Sequence, residues 1–388
     1  MISPGGAILN PGGAIPADAV IGRDREIEEY WLVLRRQSIA LLAPRRVGKT
    51  SICRRMLAYP PDSVTPIMRN LEGLQSASEF VARLADDVDH LVGRLTRVKS
   101  KVSELMARFG LGLDVQGVRV QLVPTQWKIL LDELLHEVNE ATPEDGQVVF
   151  FWDEFTLFFG DLARRGAAEE AMVLLDRLRA ARQAFPRIRM VVTGSIGFEE
   201  VMEQLRQRGY ANDPINDVDK QIVPLLDEVG AVKLAEALLS LLPGTPPPAL
   251  AQFIAQRSEG HPLVIQHMAD RLRRLGRLDK AEVEGALQQL IADDSDPLEL
   301  SHYLERLATY LPAETLALTR TLLDTVALEP QGVALADLAA RLGTNREQVL
   351  TAVGRLRKDQ YFVREGTDHR WRFRLDVLRR WWMQERGL

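Results

Sequence analysis

The chain has 388 residues, 46% hydrophobic and 27% charged, enough for two or three globular domains with a sizeable core. Its 49 lysines and arginines stand against 54 aspartates and glutamates, and the net charge of −5 excludes a surface coated throughout for nucleic acid. A single cysteine, Cys53, excludes an intramolecular disulfide, and six histidines without ligand spacing or a cysteine cluster exclude a structural zinc.

The chain opens on Pro-Gly-Gly-Ala-Ile at 4–8 and again at 11–15, so residues 1–18 are expected to form a mobile or extended arm. The N-terminus lacks a basic region and a continuous apolar core, and the longest apolar runs, such as 148–152, are far too short for a bilayer. A cytoplasmic protein without membrane contact is expected. Val20-Ile21-Gly22-Arg23-Asp24-Arg25-Glu26 then leads into a helical pattern through Ile27, Tyr30, Trp31 and Leu34.

Ile39-Ala40-Leu41-Leu42 reads as a strand and ends in Ala43-Pro44-Arg45-Arg46-Val47-Gly48-Lys49-Thr50-Ser51. This has the form of a P-loop opening a helix. Backbone N–H groups of residues 45–51, after Pro44, would face a triphosphate, and the positive end of the helix would point at it. Lys49 would reach the β- and γ-phosphates, and Thr50 would ligate Mg²⁺. Ala43 stands where the pattern has its first glycine, which is tolerated if its φ is negative.

Residues 64–71 read as a second strand. Helical periodicity follows from about 78 to 109, with Phe80, Val81, Leu84, Val88, Leu91, Val92 and Leu95 on one side. Alternation over 111–122 suggests a short hairpin, and Trp127, Leu130, Leu131, Leu134, Leu135 and Val138 define a core-facing helix. Val148-Val149-Phe150-Phe151-Trp152 reads as a strand buried on both faces, with Asp153 and Glu154 at its carboxyl end. This has the form of a Walker B segment, in which Asp153 would hold the Mg²⁺ shell and Glu154 would polarise the attacking water. A helix over about 167–184 precedes another buried strand, 188–195, where Ser195, or Thr193 just before it, would sense a γ-phosphate. Strands alternating with helices imply a parallel sheet.

Pro243-Gly244 and Pro246-Pro247-Pro248 mark a linker to a helical region containing Gly260-His261-Pro262. From about 312 the order becomes three helices (313–327, 333–342 and 345–358), two strand candidates (361–364 and 371–374) and a last helix with Leu378, Trp381 and Trp382. That is the order of a winged helix. In the third helix Val349, Leu350, Val353 and Leu356 are expected to be buried. Gln348, Thr351, Arg355 and Lys358 take the opposite face, as contacts to DNA or a protein partner.

Taken in order, these motifs resemble prokaryotic AAA-type ATPases of the STAND and archaeal-ATPase kind with a C-terminal winged helix. The resemblance covers nearly everything from residue 20 onward. It implies an α/β fold: a P-loop NTPase parallel sheet of AAA type (19–242), a helical lid (243–311) and a winged-helix domain (312–388) after the flexible arm. It implies ATP/ADP and Mg²⁺ as cofactors, Gly22 and Arg23 against adenine, and Pro262 near the base. It also implies a sensor 1 role at 193–195.

Three functions follow. The first is an ATP-hydrolysing switch acting on separately encoded partners or as a homo-oligomer, in signalling or antiphage defence; no solenoid repeat is present. The second is a DNA-binding ATPase resembling replication-initiator or transposition ATPases. About 12 basic and 6 acidic residues from Arg341 to the end give roughly +6, while the remainder, 37 against 48, gives about −11. The third is a scaffold that holds nucleotide without turnover, against which Glu154 speaks.

Overall fold

The computed structural model describes residues 6–96, 105, 126–194, 198–366 and 369–388. Two units are distinguished by their internal contacts. One comprises Arg25–Leu42 and Ile52–Val223; the other comprises Met1–Asp24, Ala43–Ser51 and Pro224–Leu388.

The first unit is built on a five-stranded parallel sheet of β1 (Ile39–Leu42), β2 (Val64–Asn70), β3 (Gln147–Asp153), β4 (Ile188–Gly194) and β5 (Asp219–Ile222), in the order β2-β3-β4-β1-β5. Because every pair is parallel, Leu42, Asp153 and Gly194 all end on the same edge of the sheet. β3 carries β-branched and aromatic residues that are buried on both faces, as its unbroken apolar run predicts. Helices α1 (Asp24–Leu34), α2 (Lys49–Ala58), α3 (Ala77–Thr96), α4 (Gln126–Ala141), α5 (Phe155–Arg164), α6 (Ala168–Ala184) and α7 (Phe198–Arg206) accompany the strands. Phe80 of α3 meets Trp152 of β3 edge-on at 5.2 Å, and Phe155 of α5 stacks on the same indole at 6.2 Å.

The sequence pattern anticipates α3, α4 and α6 but not α5, α7 or β5. α5 follows β3 after the single residue Glu154, with no Gly, Pro or Asn to mark the turn, so its apolar residues merge with the strand's run. β5 is an edge strand of Asp219, Lys220, Gln221 and Ile222, with little apolar signal. The hairpin expected at 111–122 lies outside the described residues, as does the expected helix beyond Thr96 except for Leu105.

The second unit is mainly helical: α8 (Glu228–Leu239), α9 (Leu250–Arg257), α10 (Pro262–Leu275), α11 (Lys280–Ala292), α12 (Ser301–Tyr310), α13 (Ala313–Ala327), α14 (Leu335–Leu342), α15 (Arg346–Lys358) and α16 (Asp376–Arg386). Strands β6 (Phe362–Glu365) and β7 (Arg370–Phe373) form an antiparallel pair, and Val333 bridges to Trp371. Local chemistry sets the ends of these helices. Asp227 caps α8 through Gly230 N–H at 2.8 Å, and Asn345 caps α15 through Glu347 N–H at 2.8 Å. Trp382 of α16 packs in the core and donates to Asp324 of α13 at 2.8 Å.

On α15, Val349, Val353 and Leu356 are buried as expected, and Ala352 joins them. Leu350 corrects the expectation, since it is 51% exposed. It follows the buried Val349 by one residue, and 100° of rotation carries it off the apolar stripe. Among the described residues no helix is long and apolar enough to cross a membrane.

The N-terminal arm is tied down, and it turns at 10–13, where Gly13 N–H donates to the Asn10 carbonyl at 3.1 Å. The Gln266 amide of α10 accepts from Asn10 N–H at 3.0 Å and donates to the Ile8 carbonyl at 2.9 Å, while Ala7 and Leu9 pack against the helical core.

Candidate functional site

The residues expected to serve a nucleotide fall into two groups, one in each unit. In the second unit, the chain leaves β1 and enters the loop at Ala43. Ala43 is buried and keeps a φ outside the left-handed region, so the missing glycine strains nothing. The loop turns through positive φ at Arg46 (66°) and Gly48 (104°). Lys49 opens α2, is only 6% exposed, and lays its ammonium on the Ala43 and Pro44 carbonyls at 2.8 and 2.9 Å. Thr50 and Ser51 follow in the first turn of α2. Arg23 is buried and braces the loop from behind, donating to the Val47 carbonyl and to the Pro224 carbonyl, each at 2.9 Å.

The turn before Arg23 is set by main-chain contact. Gly22 has φ 75°, and a Cβ there would lie 2.8 Å from the Gly230 Cα; a Cβ on Gly230 would lie 3.2 Å from the Gly22 Cα. A second close approach holds Gly260. It has φ 73°, a Cβ would fall 2.1 Å from the Leu226 carbonyl oxygen, and Leu226 N–H donates to the Gly260 carbonyl at 3.0 Å.

His261 follows, 7% exposed, with a ring nitrogen, Nδ1, that has no partner among the described residues. Burial, and then the Arg23 charge, push its pKa down to about 4, so the ring is neutral at pH 7. Pro262 starts α10 at N1, where its missing N–H leaves no bond unmade. On the other side of Gly260, the Glu259 carboxylate accepts from Asp376 N–H at 2.6 Å at the start of α16. Burial pushes that carboxyl above its usual range.

In the first unit, β3 ends in Asp153, which is buried. Glu154 lies at φ 56°, ψ 34° and forms the N-cap of α5. Thr193 of β4 joins the two acids, donating its hydroxyl proton to Asp153 Oδ1 and accepting from Glu154 N–H at 3.1 Å. One hydroxyl thus orients the first carboxylate and fixes the backbone of the residue bearing the second.

Ser195, expected as the sensor, lies outside the described residues. Thr193 is the residue of that segment placed on the acids. His261, adjacent to the expected Pro262, was not singled out by the sequence. The two loop arginines were expected at phosphate, and they make other contacts. Arg45 meets His302 at 3.2 Å, and Arg46 binds Glu299 and the Gly12 carbonyl. No short-range sequence signal points to Glu299 or His302, which are more than 250 residues away. On α15, Gln348, Thr351 and Lys358 are exposed and Arg355 is partly buried. Among the described residues no three of His, Cys, Asp or Glu gather as a metal cluster.

No family model matches the chain, and no curated protein matches it. Solved structures do. The chain is similar to a Walker-type ATPase of Pyrococcus abyssi, with a TM-score of 0.65 and 17% identity over 96% of this chain and 99% of that one. It is also similar to the ORC2 protein of Aeropyrum pernix, solved as ADPNP–ADP complexes, with a TM-score of 0.52 and 12% identity over 98% of each chain. At these identities the likeness establishes the fold: the five-stranded parallel sheet with its helices is that of P-loop ATPases.

Proposed function

We propose that this chain binds ATP with Mg²⁺, hydrolyses it, and works as an AAA-type switch on separately encoded partners or further copies of itself. The observation that carries this reading is the Thr193 bridge between Asp153 and Glu154 at the carboxyl edge of a parallel sheet. The nucleotide complexes of the Aeropyrum pernix neighbour are the kind of ligand meant.

The roles are assigned as follows. The backbone of Pro44, Arg45, Arg46, Val47, Gly48, Lys49, Thr50 and Ser51 cradles the phosphates, and the Lys49 ammonium moves from the loop carbonyls to the β- and γ-phosphates. Gly22, Arg23 and Pro262 lie on the base side. Thr50 and Asp153 offer only hard oxygen donors, which fit Mg²⁺ completed by phosphates and water; when bound, the ion neutralises charge developing on the transferred group. Glu154 accepts the proton of the attacking water, and Ser195 or Thr193 senses the γ-phosphate.

A second reading is a DNA-binding ATPase with residues 312–388 as a winged helix. It is favoured by the exposure of Gln348, Thr351 and Lys358 on the third helix of that segment and by the basic balance of the C-terminal end. Turnover of ATP measured with and without duplex DNA, alongside particle mass in each nucleotide state, separates the readings. Turnover without DNA dependence and a mass that follows the nucleotide support the switch. A chain that neither binds nor hydrolyses ATP ends both.

A further inference from the structure

The cations of the phosphate loop are already engaged inside their own unit. Arg46 donates Nε to Glu299 Oε1 at 2.8 Å, Nη2 to the same oxygen, and Nη1 to the Gly12 carbonyl at 2.8 Å. At least three of the five guanidinium donors are thus taken by one carboxylate and one carbonyl of the N-terminal arm. Arg45 faces His302, whose other ring nitrogen lies 2.9 Å from Glu305. A carboxylate and a carbonyl therefore hold Arg46, and a histidine ring meets Arg45.

The three residues joined by these bonds all have positive φ. Arg46 has φ 66° and Glu299 φ 54°, both left-handed without being glycine, and Gly12 has φ 74°. Asp296 fixes the segment that presents Glu299, since its carboxylate accepts from Leu300 and Ser301 N–H at 2.8 Å each. The arm is fixed independently of Arg46 by the Gln266 amide. The pairing of Arg46 with Glu299 holds the guanidinium above its usual pKa and the carboxyl below its own, so both are charged at neutral pH.

We propose that Glu299 and the N-terminal arm form an autoinhibitory latch on the phosphate loop, and that Arg46 is handed from the latch to a nucleoside triphosphate. The inference rests on the reading of residues 43–51 as a triphosphate loop. A carboxylate held against such a loop repels an incoming triphosphate and occupies the guanidinium that would bind it. Phosphate oxygens compete for the same donors, so an occupied loop frees Glu299 and Gly12. The arm then keeps its Gln266 bonds and the packing of Ala7 and Leu9 but loses its tie to the phosphate loop. By linkage, a nucleotide that loosens the arm is itself weakened by the docked arm, by the same factor.

The test uses the full chain and hydrogen exchange of the arm amides, foremost Gly13 N–H in the turn that presents the Gly12 carbonyl. Magnesium with a non-hydrolysable ATP analogue is expected to speed arm exchange at least tenfold, and magnesium with ADP less. Glu299→Gln is expected to speed it without nucleotide and to tighten analogue binding at least threefold. Gln266→Ala, which cuts the arm seat but leaves Glu299 in place, is expected to free the arm with a smaller gain in affinity. If Glu299→Gln leaves the arm as protected as in the wild type, or weakens analogue binding while still folded, the latch is overturned. If the wild type binds the analogue and the arm keeps its protection, the latch fails and the ATPase reading stands. If the analogue does not bind at all, that reading fails, and arm exchange in nucleotide-free Glu299→Gln still decides whether the latch exists.

Discussion

Glu154 and Arg46 are both non-glycine residues at positive φ, 56° and 66°, yet the chain restrains them by different means. Glu154 is held through its own N–H by Thr193, on the strand next to the one it terminates, and it starts α5. Moving it means moving the sheet. Arg46 is held by side-chain bonds to Glu299 and to a carbonyl in the arm, neither of which belongs to a strand or helix. A competing anion can break those bonds and leave the core intact. The difference separates a residue held by the sheet from one restrained by side-chain contacts alone.

The largest expected effect tests whether the second unit also has a rigid part. Gly260→Ala sets a Cβ onto the Leu226 carbonyl at 2.1 Å and at φ 73°, with only backbone in the way. We expect a loss of about 4 kcal/mol or failure to fold, read by chemical denaturation. An unshifted midpoint would mean that this loop yields as readily as the latch.

Next comes the acid limb of stability. His261 has its pKa lowered from 6.5 to about 4, so between those values the unfolded chain binds a proton that the folded chain does not. Stability is therefore complete above pH 6.5 and falls as pH drops toward 4, by about 3 kcal/mol in all. His261→Gln is expected to flatten that limb. Parallel denaturation curves of the two proteins across this window would place the acid sensitivity elsewhere.

Glu154→Gln keeps the shape of the residue and loses its charge. Turnover is expected to drop about a hundredfold or more while ATP affinity is kept. Lys49→Ala is expected to do the converse, weakening affinity by well over a factor of about ten in calorimetry, because charge-assisted phosphate bonds are strong. Binding and turnover lost together in Glu154→Gln would make that residue structural and erase the contrast. Thr193→Val removes the shared hydroxyl without changing volume, and a loss of about tenfold in turnover is expected, with ATP affinity intact. The smallest effect is on the exposed face of α15. Lys358→Glu with Gln348→Glu should cost no more than about 0.5 kcal/mol of stability. Under the DNA reading, duplex binding measured at low salt is abolished by the pair, and in the wild type it falls steeply as salt rises.

The sequence was most informative where structure depends on neighbours along the chain. The runs at 39–42 and 148–152 are strands, with Lys49 and the Asp153-Glu154 pair just beyond their ends. Parallel order places Thr193 beside that pair, and the strand pattern of 188–195 already implied its position at a strand end. Edge strand β5 escaped because pairing to β1, rather than apolar content, makes it a strand. The loop side was least legible. Glu299, His302, Gln266 and Gly12 are ordinary polar or turn residues, and only tertiary folding gives them partners. The arm shows the same limit: its Gly/Pro content predicts extension, and nothing in it names the glutamine that holds it.

The contact between Gly22 and Gly230 has a consequence for descent. Each backbone fills the space where the other's Cβ would be, at 2.8 and 3.2 Å. A side chain gained on one cannot be offset by a change on the other, since every substitution at either place adds bulk to the same gap. Gly22, at φ 75° and 2.8 Å, cannot gain a side chain unless backbone moves, whereas Gly230, at 3.2 Å and without a positive φ, needs its neighbour to give by a few tenths of an ångström. A chain descended from this one and keeping the fold is therefore expected to hold Gly22 more strictly than Gly230, which makes that one glycine a marker of kinship that overall similarity does not supply.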